Sequence, residues 1–160
     1  MVDGALLLTA ASYSACGVLI YVLTRLFRRR GSSSLPALLA ATAFALGLLV
    51  LVPGVLHTLA VIDLRIKRGN PYDLRFVFLV TTGLILIHVG AAHIVLSRWI
   101  LRGARWAAGA SAAATLLLMA FVAILSPVNS EGRSLLIAFG AYLALLIWQL
   151  ANPRRGLEAQ

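Results

Sequence analysis

Three histidines, His57, His88 and His93, lie within the apolar stretches of the chain, where an ionisable group is costly and functional by default. Two imidazoles facing each other from different helices can ligate a haem b iron or hold a quinone headgroup, which makes His57 and His88 candidate cofactor residues. Such a site requires the two rings at equal depth. At the helical rise His57 stands about 8 Å from the end of its apolar run and His88 about 18 Å from the start of the next, about 10 Å out of register. His88 and His93 are five residues apart, a rotation of about 140° on a helix, so they do not readily serve one atom. The leading expectation is therefore no cofactor, with haem b or quinone as the alternative.

Each histidine also has a structural reading. His57 lies one turn beyond Pro53 and can bond carbonyls freed by that proline. His88 can bond a neighbouring helix through Tyr13, Ser111 or Thr115. His93 fits as a polar packing group on the stripe Thr82, Leu86, Val89 or Gly90, His93, Ser97. His88, placed at mid-depth, remains the first choice for a functional residue, including a proton or ion relay.

Other chemistry is less well supplied. Every carboxylate lies at the end of an apolar run or between runs, and no cluster of acids and histidines has metal-ligand spacing. No Gly-x-Ser-x-Gly or phosphate-binding glycine motif is present. The single cysteine, Cys16, excludes an intrachain disulfide and multi-cysteine metal sites. Tyr13-Ser-Ala-Cys16 lacks the small or aliphatic residue that lipidation wants, and no basic segment precedes the first apolar run, so neither lipidation nor signal cleavage is expected.

The densest polar segment, residues 63–75, offers Asp63, Arg65, Lys67, Arg68, Asp73 and Arg75 to a partner protein or a lipid headgroup. A second basic group, Arg25, Arg28, Arg29 and Arg30, follows the first apolar run and suits anionic lipid. The formal charge of +9 does not point to nucleic acid, because these arginines cluster between apolar spans instead of interleaving with aromatics on a solvated face.

The elements that must position these groups follow from composition. With 61% hydrophobic and 12% charged residues the chain lies far from soluble usage, where about a quarter of residues are charged. In lipid the backbone must satisfy itself, and long charge-free runs without two-residue alternation select helices over a barrel. Runs at 4–24, 35–62, 76–97, 106–125 and 134–150 predict an all-α integral membrane protein, a bundle of five transmembrane helices forming one domain. A four-span version requires the last run to lie re-entrant or peripheral. Residues 63–75 form an external loop, residues 31–34 a flexible link and residues 152–160 a C-terminal tail. The 28 residues of the second run exceed a perpendicular span, which predicts a tilt or a bend at Pro53-Gly54.

Orientation comes from charge. An outside N-terminus and cytoplasmic C-terminus put nine of the fourteen basic residues inside and four of the five acidic residues outside. Trp99, Trp106 and Trp148 then fall at the cytoplasmic interface, where indole prefers to sit. Gly109 with Ala113, and Gly140 with Ala144, have the spacing of close helix–helix contact. Together these features predict a non-catalytic integral subunit of a larger complex in the plasma (inner) membrane, respiratory or photosynthetic in type, with other membrane subunits and anionic lipids as partners. The alternatives are a redox anchor carrying electrons through haem b or quinone at His57 and His88, and a small proton or ion conductor.

Overall fold

The computed structural model describes residues 4–29, 31–68, 74–125 and 130–152. They form five helices and, among the described residues, no strand: α1 (Gly4–Arg29), α2 (Ser34–Arg68), α3 (Leu74–Leu101), α4 (Arg105–Leu125) and α5 (Ser130–Ala151). Three of them contain stretches long and apolar enough to cross a membrane, Ser34–Leu64, Phe76–Leu101 and Arg105–Ile124, and α5 carries a shorter apolar stretch, Leu136–Ala151.

The helices run past the expected spans at several ends. The charged residues Asp63 to Arg68 continue α2 instead of opening a loop, because a helix leaving an apolar layer still satisfies its own backbone and carries polar side chains at no cost. Residues 69–73 and 153–160, within the expected loop and tail, lie outside the described residues. The link after α1 is a fixed turn. Gly31, at φ 87°, donates its N–H to the Arg28 carbonyl, and Ser32 donates to Phe27, a Schellman closure that only a left-handed residue completes. Gly103, at φ 76°, ends α3 the same way, bonding the Ile100 carbonyl while Ala104 bonds Trp99. The Ser33 carbonyl then accepts the first bond of α2, from Ala37, and Pro36 sits in the first turn, where a missing N–H is harmless.

α2 is the central helix. Its alanines Ala37, Ala40, Ala41, Ala43 and Ala45 are buried, and small side chains let neighbours approach it closely. The tightest approach is to α3 and rests on two glycine pairs spaced seven residues, two helical turns, on each helix. A methyl built on Gly90 would lie 2.6 Å from the Leu51 nitrogen and 2.7 Å from the Gly47 carbonyl; one on Gly54 would lie 2.9 Å from the Leu86 Cβ and 3.0 Å from the Ile87 nitrogen. Gly47 thus faces Gly90 and Gly54 faces Gly83, so the helices run antiparallel. The pairs expected from four-residue spacing are not used this way. A methyl on Gly109 meets nothing within 4 Å, and Ala113 and Ala144 face outward.

The remaining core joins Leu39, Leu46 and Val50 of α2 to Ile100 of α3, Leu118 of α4 and Phe139, Tyr142 and Leu146 of α5. Arg105 fixes the register of the last two helices by donating from Nη2 to the Leu150 carbonyl at 3.0 Å, a cation on an exposed C-terminal carbonyl. The ends of α1, α3 and α5 and the starts of α2 and α4 therefore share one pole, which carries Arg25, Arg28, Arg29, Arg98, Arg102 and Arg105.

Candidate functional site, a buried polar chain

The inward face of α3 reads Gly83, Leu86, Gly90, His93, Ser97, Ile100, alternating steps of three and four. His93 comes from this stripe and is 2% exposed; opposite it stand Ser111 and Thr115 of α4, both at 0%, and Tyr142 of α5 at 1%. The His93 Nδ1 lies 2.8 Å from the Val89 carbonyl, which can only accept, so in the neutral ring Nδ1 carries the hydrogen and Nε2 accepts. The atom facing Nε2 is the Thr115 hydroxyl, at 3.0 Å. That hydroxyl also lies 2.8 Å from the Ser111 carbonyl, so one hydrogen serves two acceptors. The Ser111 and Tyr142 hydroxyls pair at 2.9 Å, and the His93 and Tyr142 rings stand 6.2 Å apart, tilted by 51°. These contacts tie α3 to α4 and α4 to α5 inside an apolar bundle, where a lost partner is costly.

Distance alone would allow Thr115 and His93 to act as nucleophile and base. Both are enclosed, however, and an open groove of about 290 Å³ lies elsewhere, between α1 and α2, lined by Ala15, Cys16, Leu19, Ala45, Leu48 and Pro53 among others. Ser97 spends its hydroxyl on the Ile94 carbonyl at 2.6 Å. Among the described residues no three histidine, cysteine or acidic side chains gather as a metal site.

The structure distributes the other candidate residues widely. His57 bonds from Nε2 to the Leu79 carbonyl at 3.1 Å, joining α2 to α3, and does not turn to the carbonyl freed by Pro53. Thr58 beside it bonds the Gly54 carbonyl at 2.8 Å and packs on Gly83. His88 faces outward and bonds Leu84, one turn back on its own helix, at 2.7 Å. Of the partners considered for His88, Thr115 is instead held by His93, and Ser111 by Tyr142; the Tyr13 side chain lies outside those described. The carbonyl that meets His57 is nine residues from His88, about 14 Å along α3, so the two imidazoles are not brought together.

Arg25 lies over the Tyr21 ring at 5.3 Å, Arg28 and Arg29 are exposed, and Arg30 is outside the described residues. Asp63 is exposed on α2. The side chains of Arg65, Lys67, Arg68, Asp73 and Arg75 are outside those described. At the arginine pole the Trp99 and Trp106 rings meet at 5.7 Å, and the Arg102 guanidinium lies 5.3 Å over Trp99.

Fold and site define a class, an all-helical bundle with apolar, membrane-length helices whose buried polar side chains bond helix to helix. Compared with known proteins, the chain matches no family model, no curated protein and no solved structure.

Proposed function

We propose that the chain is a five-span protein of the plasma (inner) membrane that serves as a non-catalytic integral subunit of a larger membrane complex. The observation that carries this reading is the polar chain itself: His93, Thr115, Ser111 and Tyr142 are enclosed and bonded to one another across three helices, the role of a clamp. Five spans are supported by length, since α1 with 26 residues and α5 with 22 reach about 39 Å and 33 Å against a hydrocarbon core of about 30 Å. The gathering of six arginines and of Trp99, Trp106 and Trp148 toward one pole supports a cytoplasmic C-terminus and an outside N-terminus.

A partner helix fits α4. Its inward side, Ala107, Ala108 and Ser111, is consumed by the bundle, yet its outward side is also small at Gly109, Ala110 and Ala113. Among the described residues nothing covers this small face at Ala110 and Ala113, and in lipid it permits close packing by another helix. Cross-linking tests it. In a Cys16→Ser background, Ala113→Cys is expected to form a disulfide or short bis-maleimide adduct with a second membrane protein in native membranes. Labelling of that thiol by lipid-soluble maleimide alone, with no protein adduct, would contradict the assignment.

A further inference from the structure

The arginine pole holds a more specific arrangement at the α3–α4 turn. Arg98 lies in the last turn of α3, and Arg102, four residues on, lies in the turn that follows the helix. The one carboxylate among the described side chains, Asp63, is at the far end of α2, 29 residues from its start, about 44 Å away along that helix. The dipole of α3 accounts for a cation in its last turn but not for the aromatic shelf beside it. Trp99 and Trp106 are 39% and 60% exposed, are packed on each other and carry the Arg102 guanidinium on one face. The Gly103 turn holds the two helix ends together, so cations and indoles form one fixed surface. Arg105 is committed to the Leu150 carbonyl and Arg25 to Tyr21; Arg98 makes no ion pair among the described residues.

We propose that this turn binds a phospholipid with an anionic headgroup: the phosphate sits between Arg98 and Arg102, and the glycerol region and upper chains lie against Trp99 and Trp106. The charge is complementary, guanidinium is suited to paired hydrogen bonds with phosphate oxygens, and indole favours the depth at which lipid esters lie. The site rests on the membrane reading above.

The protein carries its own reporter, because all three tryptophans are at this pole. A Trp148→Phe variant of the full chain leaves Trp99 and Trp106 as emitters. It is reconstituted in phosphatidylcholine vesicles containing rising fractions of phosphatidylglycerol or phosphatidylcholine brominated high on the acyl chain. Brominated phosphatidylglycerol is expected to quench at lower mole fraction, with a preference on the order of five-fold for each arginine engaged, shrinking as salt is raised. Arg98→Gln with Arg102→Gln is expected to abolish the preference while helical circular dichroism stays unchanged.

Equal quenching by the two lipids overturns the proposal, as does a preference that survives loss of Arg98 and Arg102. Soluble glycerol phosphate erasing the preference at millimolar concentration would mean a free anion is the ligand, and would also overturn it. Failure of both lipids to quench would instead overturn the membrane reading on which the site rests.

Discussion

Replacing Gly90 by alanine should separate α2 from α3. The added methyl would lie 2.6 Å from the Leu51 nitrogen and 2.7 Å from the Gly47 carbonyl, where ordinary contact begins at 3.4 Å. The shortfall is 3.4 − 2.6 = 0.8 Å, and both obstructing atoms are backbone, so no side-chain rotation relieves it. A gap of 0.5–1 Å forfeits roughly a quarter to a half of each dispersion contact along the seam, and overpacking of this kind costs about 1–3 kcal/mol. Alanine recovers about 1 kcal/mol of helix propensity lost at glycine, which leaves a net loss of up to about 2 kcal/mol. Gly109→Ala supplies the control: its methyl meets nothing within 4 Å, so it gains propensity without strain. The two variants should differ by about 1–3 kcal/mol in reversible unfolding by sodium dodecyl sulfate in mixed micelles, followed by circular dichroism. Equal stability of Gly90→Ala and Gly109→Ala would refute the seven-residue glycine seam.

Thr115→Val keeps the shape of the side chain but leaves the buried His93 Nε2 without its partner, at a cost of about 1–2 kcal/mol; a double-mutant cycle with His93→Phe in the same unfolding assay should return a coupling energy on the order of 1 kcal/mol. Arg105→Met removes the bond to the Leu150 carbonyl and, because Arg105 is exposed, should cost less than about 1 kcal/mol overall while speeding hydrogen exchange in the last turn of α5. His88→Ala should change stability by no more than about 0.5 kcal/mol and leave visible absorbance unchanged, because His88 faces outward and bonds only its own helix.

Composition was enough to predict an all-helical chain with helices long and apolar enough to cross a membrane, and arginine placement separated one pole from the other. Helix ends were harder to read. Asp63 to Arg68 look like a loop by charge, yet a helix needs apolar side chains only while it is within hydrocarbon, so α2 runs on through them. The inward face of α3 was hidden for a related reason. Outward residues such as Val77, Leu84 and Val95 are as apolar as inward ones, and without a polar side no amphipathic moment separates His93 from His88, about 140° away. The signal that resolves the two histidines was present as glycine period. Gly83 and Gly90 mark the face of α3 that meets Gly47 and Gly54, and His93, three residues beyond Gly90, shares it. A search limited to four-residue spacing passes over that pattern and selects Gly109 and Gly140, which are not the close contacts of the bundle. The pairing of Ser111 with Tyr142 and of Arg105 with Leu150 depends on how α4 meets α5, 31 and 45 residues apart in the chain, and no local pattern encodes it.

Integral assembly is tested most directly by purification of the full chain from its native membrane in mild detergent, with mass spectrometry of the eluate and native mass measurement of the particle. A subunit of a larger complex elutes with one or more membrane proteins at fixed stoichiometry, and those partners are lost when Ala113 is replaced by Trp on the outward face of α4. A monodisperse monomer without partners, unchanged by Ala113→Trp, would contradict it.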